Sequence, residues 1–281
     1  MSSAPGEAAL RRNGSGWYLY GVVAAEESLT GLAAEAGVDP DHEVVLIAEG
    51  PLAGVTSEVS LEEFDEATLP ERLGDAAWLE QKIRVHEQVL ERVLAEVAVV
   101  PCRFCTVYRS EEELRRFLAE REHVLAAALE YVRGQVEVGV KAFLDSDRFA
   151  ESQAGRNDEV RKLEAQASAA QGGRAYLERR RAEQLLAEER ERFKAESAGE
   201  IHARLLATAR AGVPLPLQAP EISNRAGEML FNGAYLVAAE QRSFADALES
   251  LARDLGESGA EFELTGPWPP YNFVPAELGA S

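Results

Sequence analysis

The stretch Gly266-Pro267-Trp268-Pro269-Pro270-Tyr271-Asn272-Phe273-Val274, near the C-terminus, constrains the fold more than any other. Its three prolines remove three backbone donors and hold φ near the polyproline and β values. Residues that precede a proline are pushed toward extended conformations as well. The segment is therefore extended and cannot be a central strand of a sheet. Yet it carries a Trp, a Tyr and a Phe, side chains that bury large areas. A stiff aromatic segment without a ladder of its own must dock on something. It either closes the core of its own domain or forms part of a partner-binding surface. Because it continues the alternating run Glu261-Phe262-Glu263-Leu264-Thr265, it is expected to seal the second half of the chain against a long helix. The exposure of Trp268 decides between the two.

Charge narrows the partners. The chain of 281 residues carries a net charge of −20. That opposes binding to phosphate backbones and to anionic lipid, so neither nucleic acid nor membrane is expected as a partner. It favours a protein or cationic partner. The charge is uneven: Glu159–Arg210 holds 11 Lys and Arg against 9 Asp and Glu, a net of +2, which leaves −22 for the rest. No apolar run approaches the ~20 residues of a membrane span. Met1–Gly16 has no apolar core of a signal peptide, so a cytoplasmic location is expected, with residues 1–15 as a disordered tail.

Cys102 and Cys105 form a C-x-x-C pair, a spacing that suggests redox or metal chemistry. They lie in Val99-Val100-Pro101-Cys102-Arg103-Phe104, which reads as a buried strand. Positions i and i+3 of a strand point to opposite faces, so the pair cannot be bridged there. A zinc site needs two further ligands at suitable spacing, and the histidines (42, 86, 123 and 202) are scattered singly. No cofactor is expected.

The first half reads strand (Trp17–Val23), short helix (Ser28–Gly37), strand (Glu43–Ala48), strand (Leu52–Val59), helix (Asp75 to about Val97), strand (Val99–Phe104). That order is the split βαβ, or ferredoxin-like, pattern βαββαβ, with helices on one face of an antiparallel sheet. The second helix shows a stripe of Leu79, Ile83, His86, Leu90, Val93 and Val97. His86 on that stripe is expected to be a core or rim histidine. Ser110 and Glu113 form a capping box for a helix that links the halves.

The second half opens on a strand with Val136, Val138, Val140, Ala142 and Leu144 on one face. A helical region over 158–211 follows, about 80 Å if unbroken, with Gln171-Gly172-Gly173 as a possible kink. Its apolar stripe is thin and includes Tyr176, which suggests projection from the domain or packing on another chain. A strand (Glu228–Ala238), a helix from Ser243 to Gly256 and a last strand complete it. The expected organisation is α+β with two domains: tail 1–15, ferredoxin-like domain 16–108, linking helix 109–134, a modified α+β unit over 135–275 and tail 276–281.

No Walker-type phosphate loop, nucleophile elbow or H-E-x-x-H is present. Five ordered motifs, however, resemble those of one family. Val99-Val100-Pro101-Cys102-Arg103-Phe104-Cys105-Thr106-Val107-Tyr108 resembles the V-x-P-[VL]-R-F-G-T-V-[FY] signature of the gas vesicle GvpF/GvpL proteins, with cysteines replacing an aliphatic residue and a Gly. Glu137–Phe143, Gly173-Arg174-Ala175-Tyr176-Leu177 and Asn232–Val237 are similar to further motifs of that family. Gly266–Phe273 is similar to its G-P-W-P-P-Y-x-F. The resemblance covers residues 16–275. It implies a non-enzymatic accessory protein of gas vesicle formation, cytoplasmic and gas vesicle associated. Its implied partners are the main hydrophobic shell protein and other gas vesicle accessory proteins. Trp268, Tyr271, Phe273, Tyr176 and Arg103 are the candidate partner-binding or domain-sealing residues. The alternative is a small-ligand protein or enzyme using a cleft between the domains, with His86, Arg103 and carboxylates converging.

Overall fold

A computed structural model of the chain describes residues 14–27, 29, 32, 35–64, 68–219, 227–240 and 242–275. The fold is α+β, with two antiparallel sheets in two compact units. The described residues up to Gly134, joined by 269–275, form the first unit; those of Gln135–Trp268 form the second.

In the first unit the strands are β1 (Ser15–Ala24), β2 (Val44–Glu49), β3 (Leu52–Ser60), β4 (Val100–Pro101) and β5 (Val107–Tyr108). Their order is β2-β3-β1-β4, with β5 also paired to β1. Each crossover, β1 to β2 and β3 to β4, passes over one antiparallel strand, as the split βαβ pattern expects. The helix expected at Ser28–Gly37 falls largely outside the described residues; Ala36 there bridges to Glu43. Short helices α1 (Leu61–Phe64) and α2 (Leu69–Leu73) precede α3 (Ala76–Leu94), whose cap Asp75 accepts from the amides of Ala77 and Trp78.

Three expectations for this unit are corrected. The buried face of α3 is Trp78, Lys82, His86, Val89, Leu90 and Val93, while Ile83 is exposed. Trp78 has more area to bury, and Lys82 finds polar partners, so the helix turns away from the stripe that apolar letters alone suggest. The strand expected over Val99–Phe104 breaks after Pro101, and Cys105 takes a positive φ of 65° before the chain re-pairs as β5.

The linking helix is two helices, α4 (Glu111–Glu120) and α5 (Glu122–Val132), which meet at Arg121 and pack within the first unit. They cover the second face of the sheet, packing Leu114, Phe117, Leu118, Leu125 and Leu129 on Leu19, Val22, Ile47 and Leu52. The reason lies in β1. Tyr18, Leu19, Tyr20, Val22 and Val23 are all fully buried, a near-continuous run that needs cover on both faces. The register slips between Leu19 and Gly21, a bulge that changes the facing phase. Tyr18, Tyr20 and Val23 thus face α3, and Leu19 and Val22 face α4 and α5.

The second unit has strands β6 (Gln135–Leu144), β7 (Ala211–Pro214), β8 (Glu228–Ala238) and β9 (Ala260–Trp268) in the order β7-β8-β6-β9. Helix α6 (Ser146–Arg156) is capped by Asp145 and α7 (Asp158–Ala169) by Asn157. Helices α8 (Gly173–Leu206) and α9 (Ser243–Gly256) supply Ile201, Leu205, Phe244, Leu248 and Leu251 to a core with Val140, Ala142, Phe231 and Tyr235. The helical region expected over 158–211, with a kink at Gln171-Gly172-Gly173, instead reverses there and folds back on itself. Gly172, at φ 62° and ψ −139°, turns the chain in a conformation open mainly to glycine. Beyond it α8 lies against α7, burying Ala175, Glu178 and Ala182 beside Val160 and Ala167.

The proline-rich stretch is divided. Through Trp268 it is the end of β9, an edge strand, as its prolines require. From Pro269 on it belongs to the first unit, so the second unit ends at Trp268 and not at 275.

Candidate functional site

The first unit holds the C-terminal segment with a buried polar network. β1 contributes Tyr18 and Tyr20, α3 contributes His86 and Glu87, and the short 3-10 turn Tyr271–Phe273 contributes Tyr271. The Tyr18 hydroxyl lies 2.9 Å from His86 Nδ1, and the Tyr271 hydroxyl lies 3.0 Å from His86 Nε2. Tyr271 donates its proton to Glu87 Oε1 at 3.1 Å. Each ring nitrogen of His86 thus has a tyrosine hydroxyl within hydrogen-bond distance. The Tyr18 oxygen in turn accepts the Cys105 amide at 3.0 Å. His86 stacks on Tyr20, with ring centroids 5.7 Å apart.

Burial sets the charges. It lowers His86 to about 4, against the opposing pull of a bond to the Cys102 backbone, so the ring is neutral. Burial also raises Glu87, partly offset by the Tyr271 bond, and raises Tyr18. Cys102 and Cys105 are free and pushed up to about 12 by burial, so neither is a thiolate nucleophile. Cys102 packs in the core under α4 and α5 and Cys105 against the core under α3, on opposite sides of the sheet. Among the described residues no three His, Cys, Asp or Glu side chains gather where they could hold a metal.

Next to this clamp is an apolar groove. Phe273 and Pro275 face His123, Val124, Ala127, Ala128 and Tyr131 of α5 across a cavity of about 370 Å³. Val124 is 45% exposed. Val274, the neighbour of Phe273, packs into the α4–α5 core, whereas Tyr271 packs into the α3 core. The segment is thus a strap that reaches both layers of the unit.

The five sequence candidates do not form one site. Tyr271 and Phe273 share the strap: the first is its anchor and the second lines the groove. Trp268 is 39% exposed on the edge strand of the second unit, where its indole N–H donates to Thr265 Oγ1 at 3.3 Å. It belongs to no core cluster, and the sealing expected of the second half against its long helix is not seen: Tyr271 and Val274 pack on α3 and on α4–α5 of the first unit instead. Tyr176 is 62% exposed in the first turn of α8. The Arg103 side chain is exposed, while its carbonyl accepts from the Thr106 amide and hydroxyl. His86, with both ring nitrogens engaged in a core, does not converge with Arg103.

Two features escaped the sequence reading. Lys82 is buried and donates to the Val38 carbonyl at 2.7 Å, with Glu63 at 3.2 Å and the Phe64 ring below it. Its position four residues before His86 was the available signal, but a lysine reads as a gap in an apolar stripe. The groove had a clearer one: Val124, Ala127, Ala128 and Tyr131 form a second stripe beside the core-facing Leu125 and Leu129.

Fold and clamp together define a class: an α+β protein of two antiparallel-sheet units whose C-terminal aromatic strap closes the first. Comparison with known proteins supplies the family. The model of the gas vesicle synthesis protein GvpL/GvpF family matches residues 16–275, and the chain belongs to that family. It is 34% identical over 230 residues to gas vesicle protein L of Streptomyces sp. (strain CB03234), covering 82% of each chain. It is 26% identical over 268 residues to gas vesicle protein L1 of Halobacterium salinarum, covering 93% of this chain and 91% of that one. The crystal structure of GvpF from Anabaena sp. PCC7120 superposes with a TM-score of 0.67 at 20% identity, covering 93% of this chain and 98% of that one. GvpF from Microcystis aeruginosa gives 0.61 at 19% identity, covering 92% and 98%. No described helix is long and apolar enough to cross a membrane.

Proposed function

We propose that this chain is an accessory protein of gas vesicle formation that binds the hydrophobic shell protein during assembly and limits its aggregation. Its relatives are gas vesicle proteins. The observation that carries the finer reading is the groove lined by Val124, Ala127, Tyr131 and Phe273 on an otherwise acidic chain. A subunit with an apolar face aggregates unless that face is masked. A groove of this kind receives an apolar segment, while the surrounding negative charge keeps the complex dispersed. Other gas vesicle accessory proteins are further partners in this reading, and the complex forms in the cytoplasm.

The test is co-expression with the main shell protein followed by affinity purification. Ala127→Arg fills the groove from an exposed position of α5 and leaves the core untouched. Recovery of the shell protein is expected to fall about tenfold or more, as when a central contact is lost, with an unchanged unfolding midpoint. Undiminished recovery with this variant moves the interface elsewhere.

A further inference from the structure

We propose that the tip of the α7–α8 hairpin is a docking surface for an acidic amphipathic segment of another protein, one that offers carboxylates beside an apolar side chain. This rests on residues apart from the groove and stands independently of the shell-protein reading.

The tip differs from the rest of the chain in charge. Between Arg161 and Arg181 there are six Lys and Arg against two Glu, a net of +4 within a chain of −20, which leaves −24 elsewhere. Two of these cations are engaged locally, Arg161 with Asp158 and Arg181 with Glu178. Lys162, Arg174, Arg179 and Arg180 are exposed and have no ion-pair partner among the described residues. The tip also differs in polarity. Tyr176 and Leu177, at 62% and 58%, are the two most exposed large apolar side chains described.

Helix geometry brings these properties together. Ala175, Glu178 and Ala182 face inward, beside α7. At 3.6 residues per turn, Tyr176, Leu177 and Arg180 then lie on the opposite side, with Arg174 and Arg179 at the flanks. An apolar pair framed by unpaired guanidiniums is the complement of an apolar residue framed by carboxylates, and Arg is suited to bidentate carboxylate contacts.

Distance protects the local charge. From Arg174 to Phe193, where α8 first meets the sheet core, the helix rises about 30 Å. The Debye length at physiological ionic strength is about 8 Å, so the acid of that sheet does not cancel the tip. The same numbers choose among occupants. A long polyanion or an anionic membrane would extend past the tip and meet the rest of the second unit, where 11 Lys and Arg stand against 21 Asp and Glu, a net of −10. A short acidic segment touches the tip alone.

The test uses the full chain and a fluorescein-labelled helical peptide of about 18 residues, five turns, with Leu on one face and Glu beside it. Fluorescence anisotropy is expected to show binding that weakens with added salt and about tenfold when Gln replaces Glu. Arg174→Glu/Arg179→Glu/Arg180→Glu is expected to abolish binding, and Leu177→Ser to weaken it, with circular dichroism unchanged. Ala127→Arg is expected to leave it intact. The proposal is overturned if the Glu peptide does not bind, or if charge reversal does not affect it. It is equally overturned if phosphatidylserine vesicles or oligouridylate bind the tip in place of the peptide. Sedimentation showing tip-dependent self-association without peptide would make a second copy the occupant and would overturn it too.

Discussion

Helices α3 and α8 each lay one side on the sheet of their own unit, yet they use their lengths differently. α3 buries side chains from Trp78 to Val93, almost end to end, and its two polar core residues are both satisfied. α8 is nearly twice as long, but it reaches its sheet core only from about Phe193, through Ile201 to Leu205. Its first half rests on α7 through small side chains and leaves Tyr176 and Leu177 in solvent. One helix is committed to holding its fold. The other spends half its length on a surface, and that half is where a stability screen should be silent and a binding screen should not.

The largest test of this contrast is Leu90→Ala on α3, at a site with no exposure. It is expected to cost about 2–5 kcal/mol by loss of burial and a residual cavity, read as a lowered denaturant midpoint. A cost under 1 kcal/mol would mean that the α3 core relaxes freely.

Next comes pH. His86 has its folded value lowered from about 6.5 to about 4. The unfolded state therefore binds the proton first, and stability is lost as pH falls from 6.5 toward 4, on the order of 3 kcal/mol in all. Glu87, whose value is raised, slopes the other way. Its folded form holds a proton that the unfolded form has released, so its contribution is lost as pH rises. Urea midpoints from pH 4 to 7 should rise with pH in the native chain, and that rise should flatten in His86→Phe. An unchanged slope would show that other groups govern it.

A smaller effect is expected from Tyr271→Phe. It removes the bonds to His86 and Glu87, at about 1–3 kcal/mol. Limited proteolysis should then cut near Pro275 earlier than in the native chain. Smallest of all, Leu177→Ser on α8 should stay within about 0.5 kcal/mol of native by thermal unfolding, as exposed sites do. A larger loss would place Leu177 in a packed contact and remove the contrast.

Much of the fold was legible where the deciding physics is local. The Asp75 and Ser110 caps act over two or three residues, and both are seen. The alternation of β6 and the proline pattern of β9 depend on neighbours in the chain, and both strands form, with the proline-bearing one at an edge. The site was less legible. The two aromatic ends of the proline stretch serve different units: Trp268 stays on an exposed edge while Tyr271 packs against a core. Gly172 was visible as a weak point, yet a kink and a reversal share the same letters. The reversal rests on packing along the whole α7–α8 pair, which buries Val160 and Ala167 of one helix and Ala175 and Ala182 of the other.

The sequence by itself determined the caps, the alternation of β6, the acid bias and the family motifs. Each of these follows from backbone geometry or charge over a few residues. Only the tertiary structure decided that α4 and α5 form a layer, that Lys82 is buried, and that the strap closes the first unit. These depend on partners far apart in the chain, Lys82 with Val38 across 44 residues and His86 with Tyr271 across 185. A buried polar group is tolerated only when such a partner arrives, and no local pattern announces which one will.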